Sequence, residues 1–119
     1  MTLDELRRRL DDGVVLLDVR SRPEFAGLAG AACDPRRGHI AGARNVPLDA
    51  LLRCTTVDEV QALVGAPEGA EVVAYCHSGH RSAFAVQVLA AAGYEARNYV
   101  GSWHEWSRDP ELPACTGTA

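Results

Sequence analysis

The run from Val72 to Ser82 constrains the fold more than any other part of this 119-residue sequence. Val72, Val73, Ala74 and Tyr75 form an apolar run that ends at Cys76. A short polar turn containing Gly79 and Arg81 follows, and Ser82 opens an alanine-rich helical segment from Ala83 to Ala92. The pattern is strand, loop, helix, with a sulfur at the mouth of the loop. A helix start presents unpaired backbone NH groups and the positive end of its dipole to whatever lies in front of it. A tight loop there can gather successive NH groups into a cup for anions, and the same field favours thiolate over thiol. Arg81 adds a permanent positive charge, and His77 and His80 add two that depend on pH. A lone strand cysteine before a polar turn is ordinarily a packing residue. One followed by Ser78, Gly79, His80, Arg81 and Ser82 at a helix start reads as a nucleophile.

The length suits one domain, 1–119, large enough for a core. Hydrophobic residues make up 47% and charged residues 24%, the balance of a globular protein rather than a disordered one. A net charge of -4, with scattered arginines and no lysine, argues against nucleic acid. The amphipathic start and the absence of a long apolar run give no signal peptide and no membrane span, so a cytoplasmic protein is expected. In that setting Cys33, Cys54, Cys76 and Cys115 read as reduced thiols rather than two disulfides. No cysteine pair has CxxC spacing, and His39, His77, His80 and His104 do not fall at ligand intervals with the cysteines, so no metal is expected.

Thr2 with Glu5 is a capping-box signature for a helix that carries Leu3, Leu6 and Leu10 on one face up to Gly13. Val14 to Val19 is a nearly continuous apolar run, as in a parallel strand covered on both faces. Asp18 and Arg20 stand at its C-terminal end, where open α/β sheets place their ligands, or form a simple ion pair or turn cap there. Ser21 to Arg37, interrupted by Pro23, Gly27, Gly30 and Pro35, reads as irregular. Gly38 to Pro47 reads as a turn and a short strand, followed by a brief helix near Asp49 to Arg53 and a second, capped by Thr56 with Glu59, through Val64. Glu71 to Tyr75 and Glu95 to Val100 read as strands, Gly101 to Trp106 as a short helix, and 110–119 as a loose tail. Strands alternating with helices predict an α/β fold: a small parallel sheet flanked by helices on both faces.

Five pieces in this order resemble the rhodanese-type sulfurtransferases. They are Asp18-Val19-Arg20; Glu24-Phe25; Gly38-His39-Ile40 with Gly42-Ala43 and Asn45-Val46-Pro47; Tyr75-Cys76 with Ser78-Gly79 and Arg81-Ser82; and Gly101-Ser102-Trp103. The likeness runs from Thr2 to Trp106. The long stretch between Phe25 and Gly38 and the run Gly101 to Trp106 look like the catalytic domain of thiosulfate sulfurtransferases. Ala41 stands where that family usually has proline.

The resemblance implies a rhodanese-like fold and makes Cys76 the sulfur carrier. Backbone NH groups from His77 through Ser78, Gly79, His80 and Arg81 to Ser82 would cradle a persulfide or a substrate anion, with Arg81 as the charged lip. Asp18 and Arg20 would brace the loop, and Trp103 would pack near the pocket or plug the last helix. The chemistry implied needs no cofactor: a small anionic sulfur donor such as thiosulfate charges Cys76, and cyanide or a thiol accepts the sulfur. A persulfide carrier fed by a protein partner such as a cysteine desulfurase is the alternative. Four residues separate Cys76 from Arg81, one fewer than in the related phosphatases, so phosphatase or arsenate reductase chemistry ranks below sulfur transfer.

Overall fold

The computed structural model describes residues 1–118. In chain order the elements are α1 (Leu3–Asp11), β1 (Val15–Asp18), α2 (Arg22–Ala26), β2 (His39–Ile40), β3 (Arg44–Asn45), α3 (Leu48–Arg53), α4 (Val57–Val64), β4 (Glu71–Tyr75), α5 (His80–Ala91), β5 (Glu95–Asn98), α6 (Ser102–Trp106) and β6 (Ala114–Cys115). Four strands form a parallel sheet in the order β3-β1-β4-β5. The central pair is in register Val15 to Val72 through Asp18 to Tyr75. As the alternating pattern requires, helices cover both faces.

Side-chain alternation along β4 divides the core in two. Val72, Ala74 and Cys76 join Leu17, Val19, Leu51, Val60, Val64, Ala85 and Leu89, a cluster roofed by α3, α4 and α5. Val73 and Tyr75 face the other way, into Leu6, Leu16, Tyr99, Trp103 and Trp106, roofed by α1 and α6. Every side chain on β4 after Glu71 is therefore buried, which is why the strand reads as a continuous apolar run.

Two segments depart from expectation. The stretch after Ser21 contains a helical turn, α2, in which the Ser21 hydroxyl accepts from Glu24 N and the Glu24 carboxylate returns to Ser21 N. Pro23, read from sequence as a breaker, sits in the first turn, where its missing NH costs nothing. The C-terminal segment, expected to be loose, is tied down. Leu112 is buried, and β6 pairs antiparallel with β2, Cys115 opposite His39 and Ala114 opposite Ile40. The Arg36 guanidinium donates to the carbonyls of Trp106, Ser107, Asp109 and Leu112 at 2.8–3.1 Å. Gly38 makes the pairing close: at φ +115°, a Cβ there would lie 2.2 Å from the Cys115 carbonyl oxygen. A two-residue strand has no periodicity to read, so only the fold exposes it. Ala119, the last residue of that stretch, lies outside the described residues.

Candidate active site

The β1-to-α2, β4-to-α5 and β5-to-α6 connections all leave the C-terminal edge of the parallel sheet. Cys76 is the first residue past β4, and its thiol, 1% exposed, is folded over by its own loop. The Gly79 NH donates to Sγ at 3.1 Å and the Ser82 NH at 3.4 Å, while the Ser82 hydroxyl lies 3.3 Å away. Helix α5 begins at His80, two residues earlier than the alanine pattern suggests, so these NH groups belong to its unpaired first turn. Gly79 adopts φ +94°, and a Cβ there would meet the Val100 carbonyl oxygen at 2.9 Å.

Burial pushes the Cys76 thiol up. Hydrogen bonds from the Ser82 hydroxyl and from the NH groups of Ser82, Gly79 and Ser78 outweigh it, and the thiol lies below its ordinary value.

Asn98, not singled out from sequence, and Ser102, noted there only within Gly101-Ser102-Trp103, support the loop. The Asn98 amide donates to the Gly79 carbonyl at 3.1 Å, and its Oδ1 lies 2.7 Å from the Ser82 hydroxyl, whose single proton turns either to Asn98 or to the Cys76 sulfur. Ser102, buried and at φ +53°, accepts from Cys76 N at 3.1 Å and donates to the Tyr99 carbonyl at 2.8 Å. The backbone of α6 adds two bonds: Trp103 N to the Cys76 carbonyl and His104 N to the His77 carbonyl, each 2.9 Å. A non-glycine residue held in the left-handed region beside a nucleophile is the kind of strain that clusters at functional sites, and no local sequence signal announces it.

The remaining expected residues divide by position. Arg81 is partly exposed, and its guanidinium makes a two-pronged ion pair with Glu24, at 2.8 and 3.1 Å. Burial works against the Glu24 carboxylate. Arg81 and Ser21 outweigh it and hold the carboxyl at about 2. On its other side Arg81 borders a cleft of about 260 Å³ lined by Val19, Pro47, Leu48 and Leu52. A larger cavity of about 690 Å³, between α1 and the C-terminal segment, contains none of the loop residues. Ser78 and His80 are exposed. His77 turns away from the sulfur toward Asp34, 3.0 Å from its Oδ2.

Asp18 and Arg20 are buried together, and among the described residues no hydrogen bond or ion pair links them to the loop side chains. Arg20 binds the Asp18 carboxylate at 2.7–3.1 Å and donates to the Gly38 carbonyl at 2.6 Å. Its guanidinium carbon sits 5.8 Å from the Tyr75 ring centroid and 5.2 Å from that of Trp103. Trp103 is thus a buried plug against Arg20, its indole NH bound to the Arg36 carbonyl.

All four cysteines are free. Cys33 and Asp34 lie far in sequence from His77 and from His104, yet all four bring their donor atoms within 4.8 Å of one another.

The Rhodanese-like domain family model matches residues 2–109. The thiosulfate sulfurtransferase of Pseudomonas aeruginosa is 33% identical over 121 residues, covering 94% of this chain and 44% of that protein. The sulfur carrier protein TtuD of Thermus thermophilus is 32% identical over 117 residues, covering 86% of this chain and 41% of that protein. The chain thus spans less than half the length of these relatives. The structure of human single-domain sulfurtransferase TSTD1 superimposes with a TM-score of 0.68 at 37% identity, covering 89% of this chain and 92% of that one.

Proposed function

The chain belongs to the rhodanese-like family, and from that premise we propose that it transfers sulfane sulfur through a persulfide on Cys76. The observation that carries the proposal is the convergence of the Gly79 NH, the Ser82 NH and the Ser82 hydroxyl on one buried sulfur. Donors fixed before the reaction stabilise a sulfur anion without reorganising. In the first step the Cys76 thiolate attacks the outer sulfur of thiosulfate. The S–S bond of thiosulfate breaks, sulfite leaves with the bonding pair, and Cys76 carries one extra sulfur. In the second step cyanide or a thiolate attacks that outer sulfur, and the electron pair of the persulfide bond returns to Cys76 as thiolate. Thiocyanate or a new persulfide is the product.

In this proposal the NH groups from His77 to Ser82 cradle the anionic sulfur and Arg81 draws the anionic donor to the rim. Asp18, Arg20 and Trp103 are positioning residues that fix the neighbouring strand ends. Four free thiols suit a reducing compartment such as the cytoplasm. The likeness to a sulfur carrier protein supports a second reading, in which a protein such as a cysteine desulfurase loads Cys76 and a partner protein unloads it.

Intact mass after thiosulfate treatment tests the proposal. The wild type should gain one sulfur, about 32 Da, that cyanide removes, and Cys76→Ser should never gain it. A persulfide that forms only with a protein donor favours the carrier. Sulfur transfer surviving in Cys76→Ser overturns both readings.

A further inference from the structure

We propose that Cys33, Asp34, His77 and His104 form a binding site for a zinc-type divalent transition metal ion. The four donors come from three segments that the sequence keeps apart, the loop before β2, the Cys76 loop and α6, and all lie within 4.8 Å of one another. At their centre is the Asp34 carboxylate, whose side chain is 1% exposed. Its Oδ2 is buried without a hydrogen-bond partner, 3.0 Å from His77 Nε2. Asp34 Oδ1 lies 3.9 Å from His104 Nδ1. Tetrahedral zinc with nitrogen, oxygen and sulfur ligands sets donor separations of roughly 3.3–3.6 Å. Small side-chain rotations therefore close the set.

The surroundings are those of a held site. His104 N binds the His77 carbonyl, and the two imidazoles meet edge to face at 5.5 Å and 82°. Arg108 reaches Asp34 Oδ1 at 3.2 Å, the Cys33 carbonyl at 3.1 Å and the His104 carbonyl, so one guanidinium orients three of the four ligand residues. Outer contacts of this kind fix ligand direction in metal sites. Arg108 and His77 Nε2 share Oδ1, each at 3.2 Å, and Oδ2 is the carboxylate oxygen with no hydrogen bond of its own.

Charge and donor softness agree on the class of metal. On binding, the Cys33 thiol gives its proton to solvent and its sulfur bonds the metal. The thiolate and the Asp34 carboxylate then balance a divalent ion. One sulfur, two imidazoles and one oxygen suit zinc, cobalt, nickel or copper rather than calcium or magnesium. These residues would hold the ion whether or not Cys76 transfers sulfur.

The test is cobalt titration of the full chain, reduced and stripped with chelator, followed by visible absorption, with zinc competition. One cobalt per chain is expected, with the intense bands of a four-coordinate ion and a thiolate charge-transfer band. The charge-transfer band should vanish in Cys33→Ser, and affinity should fall about tenfold or more in His104→Gln, whose side chain is half exposed and whose fold circular dichroism checks. Cys76→Ser should bind as the wild type does. Absence of stoichiometric binding overturns the proposal, as does a charge-transfer band that survives Cys33→Ser and disappears in Cys76→Ser.

Discussion

Ser82 supplies the only side chain that hydrogen-bonds the Cys76 sulfur among the described residues, and its hydroxyl is shared with Asn98. Because the folded thiol lies below its ordinary value, the reactive thiolate persists above that lowered pKa and is lost as pH falls through it. Ser82→Ala removes one of the causes of the lowering. The pH midpoint of Cys76 alkylation should move up, and a midpoint left in place would show that the backbone NH groups alone set the thiol. Glu24 makes a separate prediction. Its carboxyl moves from an ordinary 4.5 to about 2 beside Arg81, so its contribution to stability is complete above 4.5 and is lost as pH falls toward 2. Glu24→Gln should therefore narrow its stability gap from wild type over that acid range, in denaturation measured at successive pH values. The same substitution uncovers Arg81 and should lower the KM for thiosulfate by roughly two- to fivefold, the scale of a partly exposed ion pair.

At the scale of elements, Gly79 is the joint between β4 and α5. A side chain there must enter the left-handed region and press on the Val100 carbonyl. Gly79→Ala should cost about 1–3 kcal/mol in chemical denaturation. It should also draw the Gly79 NH from the sulfur and so raise the pH of Cys76 alkylation. The strand, loop and helix around this joint were legible in sequence because three independent cues coincide there: a two-sided apolar run, a glycine and an alanine-rich helix. The α2 turn was open to the same reading, since Ser21 and Glu24 stand at capping-box spacing, but Pro23 and the glycines that follow outweighed it. Asn98, Ser102 and Asp34 were not legible. Each acts through a partner distant in sequence, Asn98 on Gly79, Ser102 on Cys76 and Asp34 on His77, and no local periodicity records such pairs. Arg81 was found, but its pairing with Glu24 was not, for the same reason.

Across the whole molecule, the C-terminal segment is part of the structure that holds the sheet edge. Leu112 packs in the cluster of Leu6, Ile40, Trp103 and Trp106, and the Trp106 indole binds the Pro113 carbonyl at 3.0 Å. Leu112→Ala should destabilise the protein by about 2–5 kcal/mol, the range for a buried leucine, measured by urea unfolding. A change below about 0.5 kcal/mol would return the segment to the loose tail that its sequence suggests.

The bonds from α6 to the Cys76 loop also impose an order in time. The peptide groups flanking Cys76 are satisfied by Ser102 and Trp103, and the next carbonyl by His104, all from the far side of β5. A ribosome delivers Cys76 well before these partners. The groups that hold the loop's backbone all lie C-terminal to it in the sequence. A chain stopped short of α6 would keep the groups that cup the sulfur and lose those that hold the loop's backbone.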